Sequence, residues 1–198
     1  MNILGIDLSM RSTGCCLIIN DVANFILIQP SDKEYTEEKL LIHISKEILT
    51  WIDSFSIIPD YINIEGLSLN SQSNSKDILY GNFWHLRCNL YQKYPNVNIN
   101  VIPVQSWRSP LFNKEERKEI KEADKKVKEL KKEIKNLKKL EKSKILLDNE
   151  DIIYKANIKY QTFLKLPSDV SKTITDINKH DGKYDLTDSY FITKFVKK

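Results

Sequence analysis

Four carboxylates in this sequence have the types and spacing of a reaction centre. Asp7 closes the apolar run "ILGIDL", Glu65 closes "DYINIEG", and Asp185 and Asp188 stand three residues apart at the head of "DLTDSYFITKFVKK". A carboxylate at the end of a buried strand is costly unless hydrogen bonds or a cation compensate it. On a helix, an i, i+3 pair shares one face. If the first and fourth strands are neighbours, a helix packed across them brings all four acids together, and so many carboxylates do not all stay ionised without cations. Oxygen donors of this kind suit Mg2+ or Mn2+, and two ions about 3.5 to 4 Å apart are a common device for in-line phosphoryl transfer. Each acid also has a plainer role open to it. Asp7 can accept N–H bonds from the turn Ser9 to Thr13, Glu65 can be an exposed strand end, and Asp185 can cap the last helix.

The elements that must position these groups are legible from periodicity. "ILGIDL", "GCCLII" and "NFILIQ" read as three strands joined by polar turns, an antiparallel meander. Leu40, Leu41, Ile44, Ile48, Leu49 and Ile52 recur at helical spacing. A fourth strand at Asp60 to Gly66, a helix through "DILYGNFWHLRCNLYQKY" and a fifth strand in "VNINVIPVQSW" follow. The expected class is α/β, with a mixed five-stranded sheet flanked by helices, residues 1–198 forming a single domain.

Residues 114–144 break this rhythm. Ile120, Ala123, Val127, Leu130, Ile134 and Leu137 step by threes and fours, the seam of a coiled coil, with no Gly or Pro to interrupt it. The expectation is one long basic helix inserted over 114–147, whose narrow apolar stripe needs a partner in its own chain, in a second protomer or in another protein. "DIIYKANIKYQTFLKLP" then resembles a domain helix, a polar loop is expected to about Lys183, and a short helix closes the chain.

With 198 residues and 41% apolar content, the chain can bury one good core. Its net charge of +4 is unevenly spread: residues 1–113 carry −3, 114–144 carry +6 and 145–198 carry +1. A phosphate-bearing partner would meet the middle segment. Cys15, Cys16 and Cys88 lack the spacing of a zinc site or a disulfide framework and read as reduced core residues. No run is long enough for a membrane span and no signal peptide is evident, so a soluble, intracellular protein with no membrane partner is expected.

The stretches "ILGIDLSMRSTGCCLI", "INIEG" and "YDLTDSYFI" resemble, in order and spacing, the three acidic motifs of the RuvC family of Holliday-junction resolvases, which have a ribonuclease H-like fold. The resemblance covers most of the chain outside 114–150, and the Lys-, Ile- and Asn-rich composition fits a phage or viral member. It implies a homodimeric endonuclease that resolves four-way DNA junctions, or other branched DNA, at two symmetry-related phosphates. The products would carry 5′-phosphate and 3′-hydroxyl ends. Asp7, Glu65, Asp185 and Asp188 would then be catalytic metal ligands for two Mg2+ or Mn2+ ions per site, one activating the attacking water and the other stabilising the leaving 3′ oxygen. Two departures stand out. Bacterial members carry an aromatic residue three positions after the glutamate, where this chain has Ser68, and they lack the 114–147 insertion.

Candidate DNA contacts are Arg11 in the turn after Asp7, Arg108 beside Trp107, Lys114, Arg117 and Lys118 in the insertion, and Lys155 and Lys159 after it. Trp107 reads better as core than as a base-stacking residue, and packing accounts for Trp84, His85 and Tyr91. His180 or Asp181 would replace Asp185 if the last helix began a turn earlier. Rival functions are a nuclease of the same fold acting on RNA/DNA hybrids or on branched DNA generally, a non-catalytic nucleic-acid scaffold, and a sugar-kinase-like nucleotide binder. The last needs a second glycine-rich phosphate loop, which five glycines in the whole chain hardly supply.

Overall fold

A computed structural model of the chain describes residues 1–30, 37–67 and 76–195. Ser68, the position of the missing aromatic residue, lies outside the described residues. The chain divides into two compact units, the first made of 1–107 and 167–198, the second of 108–166.

The first unit is built on strands β1 (Ile3–Asp7), β2 (Thr13–Ile19), β3 (Val22–Ile28), β4 (Tyr61–Glu65) and β5 (Asn98–Ile102). Their order across the sheet is β3-β2-β1-β4-β5, antiparallel through β1, β2 and β3, and parallel from β1 to β4 and β4 to β5. This is the mixed five-stranded sheet expected from the sequence. The β2–β3 hairpin turns on Asn20 and Asp21, both with positive φ (49° and 65°), the conformation a two-residue turn needs to match strand twist. The parallel pairs require crossovers, supplied by α1 (Glu37–Asp53) and α2 (Lys76–Lys93).

Side chains alternate across a strand, so each strand sends one set to each face of the sheet. Leu4 and Ile6, Cys15 and Leu17, and Ile62 and Ile64 form one face, packed with Ile44, Ile48 and Ile52 of α1 and Phe83, Leu86 and Leu90 of α2. Full burial of each Ile or Leu stabilises the fold by roughly 1.5 to 3 kcal/mol. The opposite set includes Gly5, Gly14 and Asn63 and is covered by α9 (Gly182–Thr193).

Short α3 (Val104–Arg108) follows β5, and α8 (Ser168–Ile177) precedes α9. The expected polar loop to about Lys183 is thus largely helix: Val170 and Ile174, four residues apart, bury the inner side of α8, a two-residue stripe too short to stand out by periodicity. Cys15 and Cys16 are buried as expected, but Cys88 is exposed on α2.

The second unit corrects the expected single long helix. Helix α4 (Lys114–Glu133) begins at a capping box, in which the Asn113 side chain accepts from the Glu116 N–H and Glu116 accepts from the Asn113 N–H. It ends in a tight 3-10 turn at Ile134–Asn136, before α5 (Lys139–Asp148), α6 (Glu150–Ala156) and α7 (Ile158–Phe163). Its apolar stripe finds its partner within the chain, because α4 packs on α6. Ion pairs Glu116–Lys165 (2.6 Å) and Glu119–Lys155 (2.8 Å) rise along α4 as they fall along its partner segment, so the pairing is antiparallel. Ala123, Val127 and Ile134 are its buried residues. The stripe satisfies a coiled-coil pattern, but short α6 faces it within the chain, and Leu137, past the turn, is left 38% exposed.

Candidate functional site: an acidic sheet face under the last helix

Asp7 and Glu65 are the last residues of neighbouring parallel strands, one step beyond the Ile6–Ile64 pair. Both belong to the alternating set that includes Gly5 and Asn63, so their side chains leave the sheet on the side that α9 covers. Asp7 is 9% exposed and Glu65 half-buried.

Helix α9 lies unusually close to this face. A Cβ on Gly14 would stand 2.2 Å from the Asp185 carbonyl oxygen, and a Cβ on Gly5 would stand 2.2 Å from that of Ser189. Gly14 is the register partner of Asp7. The Asp185 backbone therefore rests against the residue paired with Asp7, and Asp188 falls between the two crossing points. Asp188 is 1% exposed and Asp185 half-buried.

At its other end α9 is fastened to β4. The Asn63 side-chain amide donates to the carbonyls of Ile192 (3.0 Å), which also accepts the Phe195 N–H, and of Phe195 (2.7 Å), just past the helix end. Asn100 in turn donates to Asn63 Oδ1 at 3.1 Å, fixing the amide's orientation. The buried hydroxyls of α9 turn back on its own carbonyls: Thr187 to Lys183, Ser189 to Leu186 and Thr193 to Tyr190. Small residues of this kind let helix and sheet backbones approach without stranding polar groups.

The turn after Asp7 is internally braced. The Ser9 N–H donates to Thr13 Oγ1, Thr13 Oγ1 donates to the Ser9 carbonyl and the Arg11 N–H donates to Ser9 Oγ. These two N–H donors are thus engaged within the turn. The charge of Asp7 reaches Cys15, whose thiol pKa is raised, first by burial and then by that carboxylate. Asp185 is not the cap of the last helix: α9 starts a turn earlier, with Asp181 at the cap position, and His180 and Asp181 are both exposed. Among the described residues, no three His, Cys, Asp or Glu side chains already form a metal cage.

Of the other candidates, Arg11 is exposed and Arg108 half-buried. Trp107 is core, 4% exposed and stacked on Phe191 of α9, with ring centroids 6.4 Å apart. Lys114, Arg117 and Lys118 line one side of α4, whereas Lys155 is turned onto Glu119. Lys159 sits at the N-terminus of α7, where its N–H donates to the Asn157 side chain.

Packing does not account for Trp84 and Tyr91, which are 56% and 44% exposed. Trp84, Cys88 and Tyr91 form an exposed stripe along α2, with the Arg87 guanidinium 4.7 Å from the Trp84 ring centre. Beside it a groove of about 560 Å³ runs from Gly66 and Leu67, directly after Glu65, past Tyr80, Trp84, Val101 and Pro103. The signal was present in the spacing of Trp84, Cys88 and Tyr91. Such spacing marks one side of a helix without saying whether that side is inner or outer.

Sheet order and the helix laid over β1 and β2 define a mixed five-stranded α/β fold with an acid-bearing face. No family model matches the chain, and no curated protein matches it in sequence. Among solved structures it is similar to Thermus thermophilus RuvC at 13% identity, over 55% of this chain and 69% of that one, with a TM-score of 0.43. Thermus thermophilus RuvC in complex with a Holliday junction substrate gives 13% identity over 56% and 71% of the two chains, with a TM-score of 0.45. A fowlpox virus resolvase in complex with substrate Holliday junction DNA matches at 12% identity over 98% of this chain and 95% of that one, with a TM-score of 0.38.

Proposed function

We propose that this chain is a metal-dependent endonuclease that resolves four-way DNA junctions by hydrolysing a pair of phosphodiesters, leaving 5′-phosphate and 3′-hydroxyl ends. The observation that carries the reading is the contact of the Asp185 backbone with Gly14, the strand partner of Asp7. It supports one acidic site drawn from β1, β4 and α9, as the three sequence motifs imply. Asp7, Glu65, Asp185 and Asp188 offer hard oxygen donors on elements whose positions are fixed by glycine contacts and the Asn63 clamp. That donor chemistry fits Mg2+ or Mn2+, and two such ions would supply Lewis-acid activation of water and charge stabilisation of the leaving oxygen.

The residues themselves would have divided roles. Asp7 and Asp188, nearly buried, would hold the cations in a low-dielectric setting where their charge counts most. Glu65 and Asp185, half-buried, would face the side from which a phosphate enters. Junction resolution calls for two sites, and the exposed Trp84–Tyr91 stripe of α2 supports a homodimer that covers it; sedimentation of wild type against Trp84→Glu tests that assembly.

The test of the function is cleavage of a labelled four-way junction, beside linear duplex and single strand, in Mg2+ or Mn2+. Wild type is expected to make paired symmetric cuts in the junction alone. Asp7→Asn and Asp188→Asn are expected to lose at least a hundredfold in rate while still binding the junction. Equal cutting by wild type and Asp7→Asn would overturn the metal site, and equal cutting of all three substrates would replace junction resolution with general nuclease activity.

A further inference from the structure

The two sides of α4 are chemically sorted. Glu116 and Glu119 turn to Lys165 and Lys155, so these two acids are engaged within the helical hairpin, while Glu115 stays exposed. Lys114, Arg117, Lys118, Lys121 and Lys125 line a shallow groove of about 680 Å³ on the other side, with Glu122 as its one acid. Lys118 reaches Glu122 only at 3.9 Å, while Lys114, Lys121 and Lys125 make no ion pair among the described residues.

We infer that this face of α4 tracks the phosphate backbone of a DNA duplex arm, an inference that rests on the nucleic-acid reading above and names the surface that would grip the substrate. Charge complementarity commits the face to phosphate, and its dimensions agree. From Lys114 to Lys125 the helix rises about 16 Å, and B-DNA presents a phosphate about every 3.4 Å of axis on each strand, so about five phosphates span the same length. Five cations therefore meet about five phosphates. Four long flexible lysines and Arg117, at i, i+3, i+4, i+7 and i+11, give register-tolerant contacts, suited to holding an arm of any sequence.

The experiment uses the full chain and a four-way junction and a linear duplex as probes, without divalent ions, with affinity measured between 50 and 200 mM salt. Each phosphate contact steepens the slope of log affinity against log salt by about 0.9. Changing Lys114, Arg117, Lys118, Lys121 and Lys125 to Gln is expected to flatten the slope by about 3 to 4. A control changing Lys131, Lys132 and Lys135 to Gln is expected to flatten it by less than 1. An all-Arg version of the five-residue face is expected to keep the wild-type slope, which separates lost charge from a disturbed helix.

An unchanged slope in the Gln variant, or an equal fall in the control, overturns the inference, as does a wild type that binds neither DNA. Cleavage in Mg2+ is scored separately. Cutting with an unchanged slope removes the gripping face and leaves the nuclease reading standing. A slope that flattens as expected in the Gln variant, with a wild type that never cuts, supports the face and removes the nuclease reading.

Discussion

The two units of this molecule are held together by different physics. In the first, β1 is buried along its whole length, two glycines admit a helix backbone to contact distance, and the buried Asn63, oriented by Asn100, fastens that helix to the sheet. In the second, Ala123, Val127 and Ile134 make a thin seam, and much of what surrounds them is charge. Exposed ion pairs contribute about 0 to 1 kcal/mol each and weaken with salt, so the second unit has little reserve. The contrast suits the division of labour proposed above: groups that must hold their geometry closely belong on a rigid scaffold, whereas a surface that grips a charged polymer works through number and reach.

The sharpest way to break that comparison is to press on the glycine contact. Gly14→Ala places a methyl group against the Asp185 carbonyl, and neither backbone can yield locally. A loss of about 3 kcal/mol or more is expected, with α9 displaced from β2. Denaturant melts read the loss, and hydrogen exchange of 183–193 against 114–133 shows whether it is confined to the first unit. A Gly14→Ala protein as stable as wild type would refute the close packing.

A middle-sized effect is expected from Ile134→Ala, which removes the side chain closing the α4 seam. About 2 kcal/mol should go, read as faster amide exchange through α4 and α6 with β1 and β4 unchanged. Equal loss of protection in both units would show that they unfold as one and would erase the distinction.

The smallest effect concerns pH. Glu116 has its pKa lowered, chiefly by the Lys165 hydrogen bond and then by the Asn113 N–H. A depressed folded pKa means a contribution fully present above the ordinary glutamate value, about 4.3, and lost as pH falls through the lowered one. Wild type should therefore exceed Glu116→Gln slightly in α4 helicity at pH 7 and lose that margin toward pH 3, as circular dichroism on heating would read. A margin independent of pH would assign the effect to the cap geometry alone.

Much of this architecture could be read from the chain before any coordinates. Strand alternation, the Ile44–Ile48–Ile52 stripe and the breaks at Asn20–Asp21 and Gly66 carry the succession of strands and helices, because these signals are local, whereas the neighbourhood of β1 and β4 entered only as a condition. The acid-bearing strand ends were legible for the same reason. What escaped depends on distant neighbours. Nothing near Gly14 in the sequence announces that it must admit a helix from residue 185, and Val170 with Ile174 is too brief a stripe to declare α8. The break after Glu133 escaped because the heptad pattern runs through it, and the partner that ends the need for a longer helix arrives only at α6. Trp84 and Tyr91 misled for a converse reason: aromatic residues on a helix pack inward more often than not, and here they face out.

The crossing of α9 over Gly14, Gly5 and Asn63 also has a kinetic side. Gly5 and Ser189 are far apart in the chain, so their contact is among the most non-local in the molecule, and chain closure over such a span must precede any reward from packing. The meander β1–β3 and the β1–β4 pair can form from the first 65 residues. The docking of α9 comes afterwards, gated by a search that the inserted second unit lengthens only modestly, since each doubling of a loop costs about 0.6 kcal/mol. Any reaction that needs Asp188 beside β1 therefore stays silent through the early stages of folding and switches on with the last long-range contact.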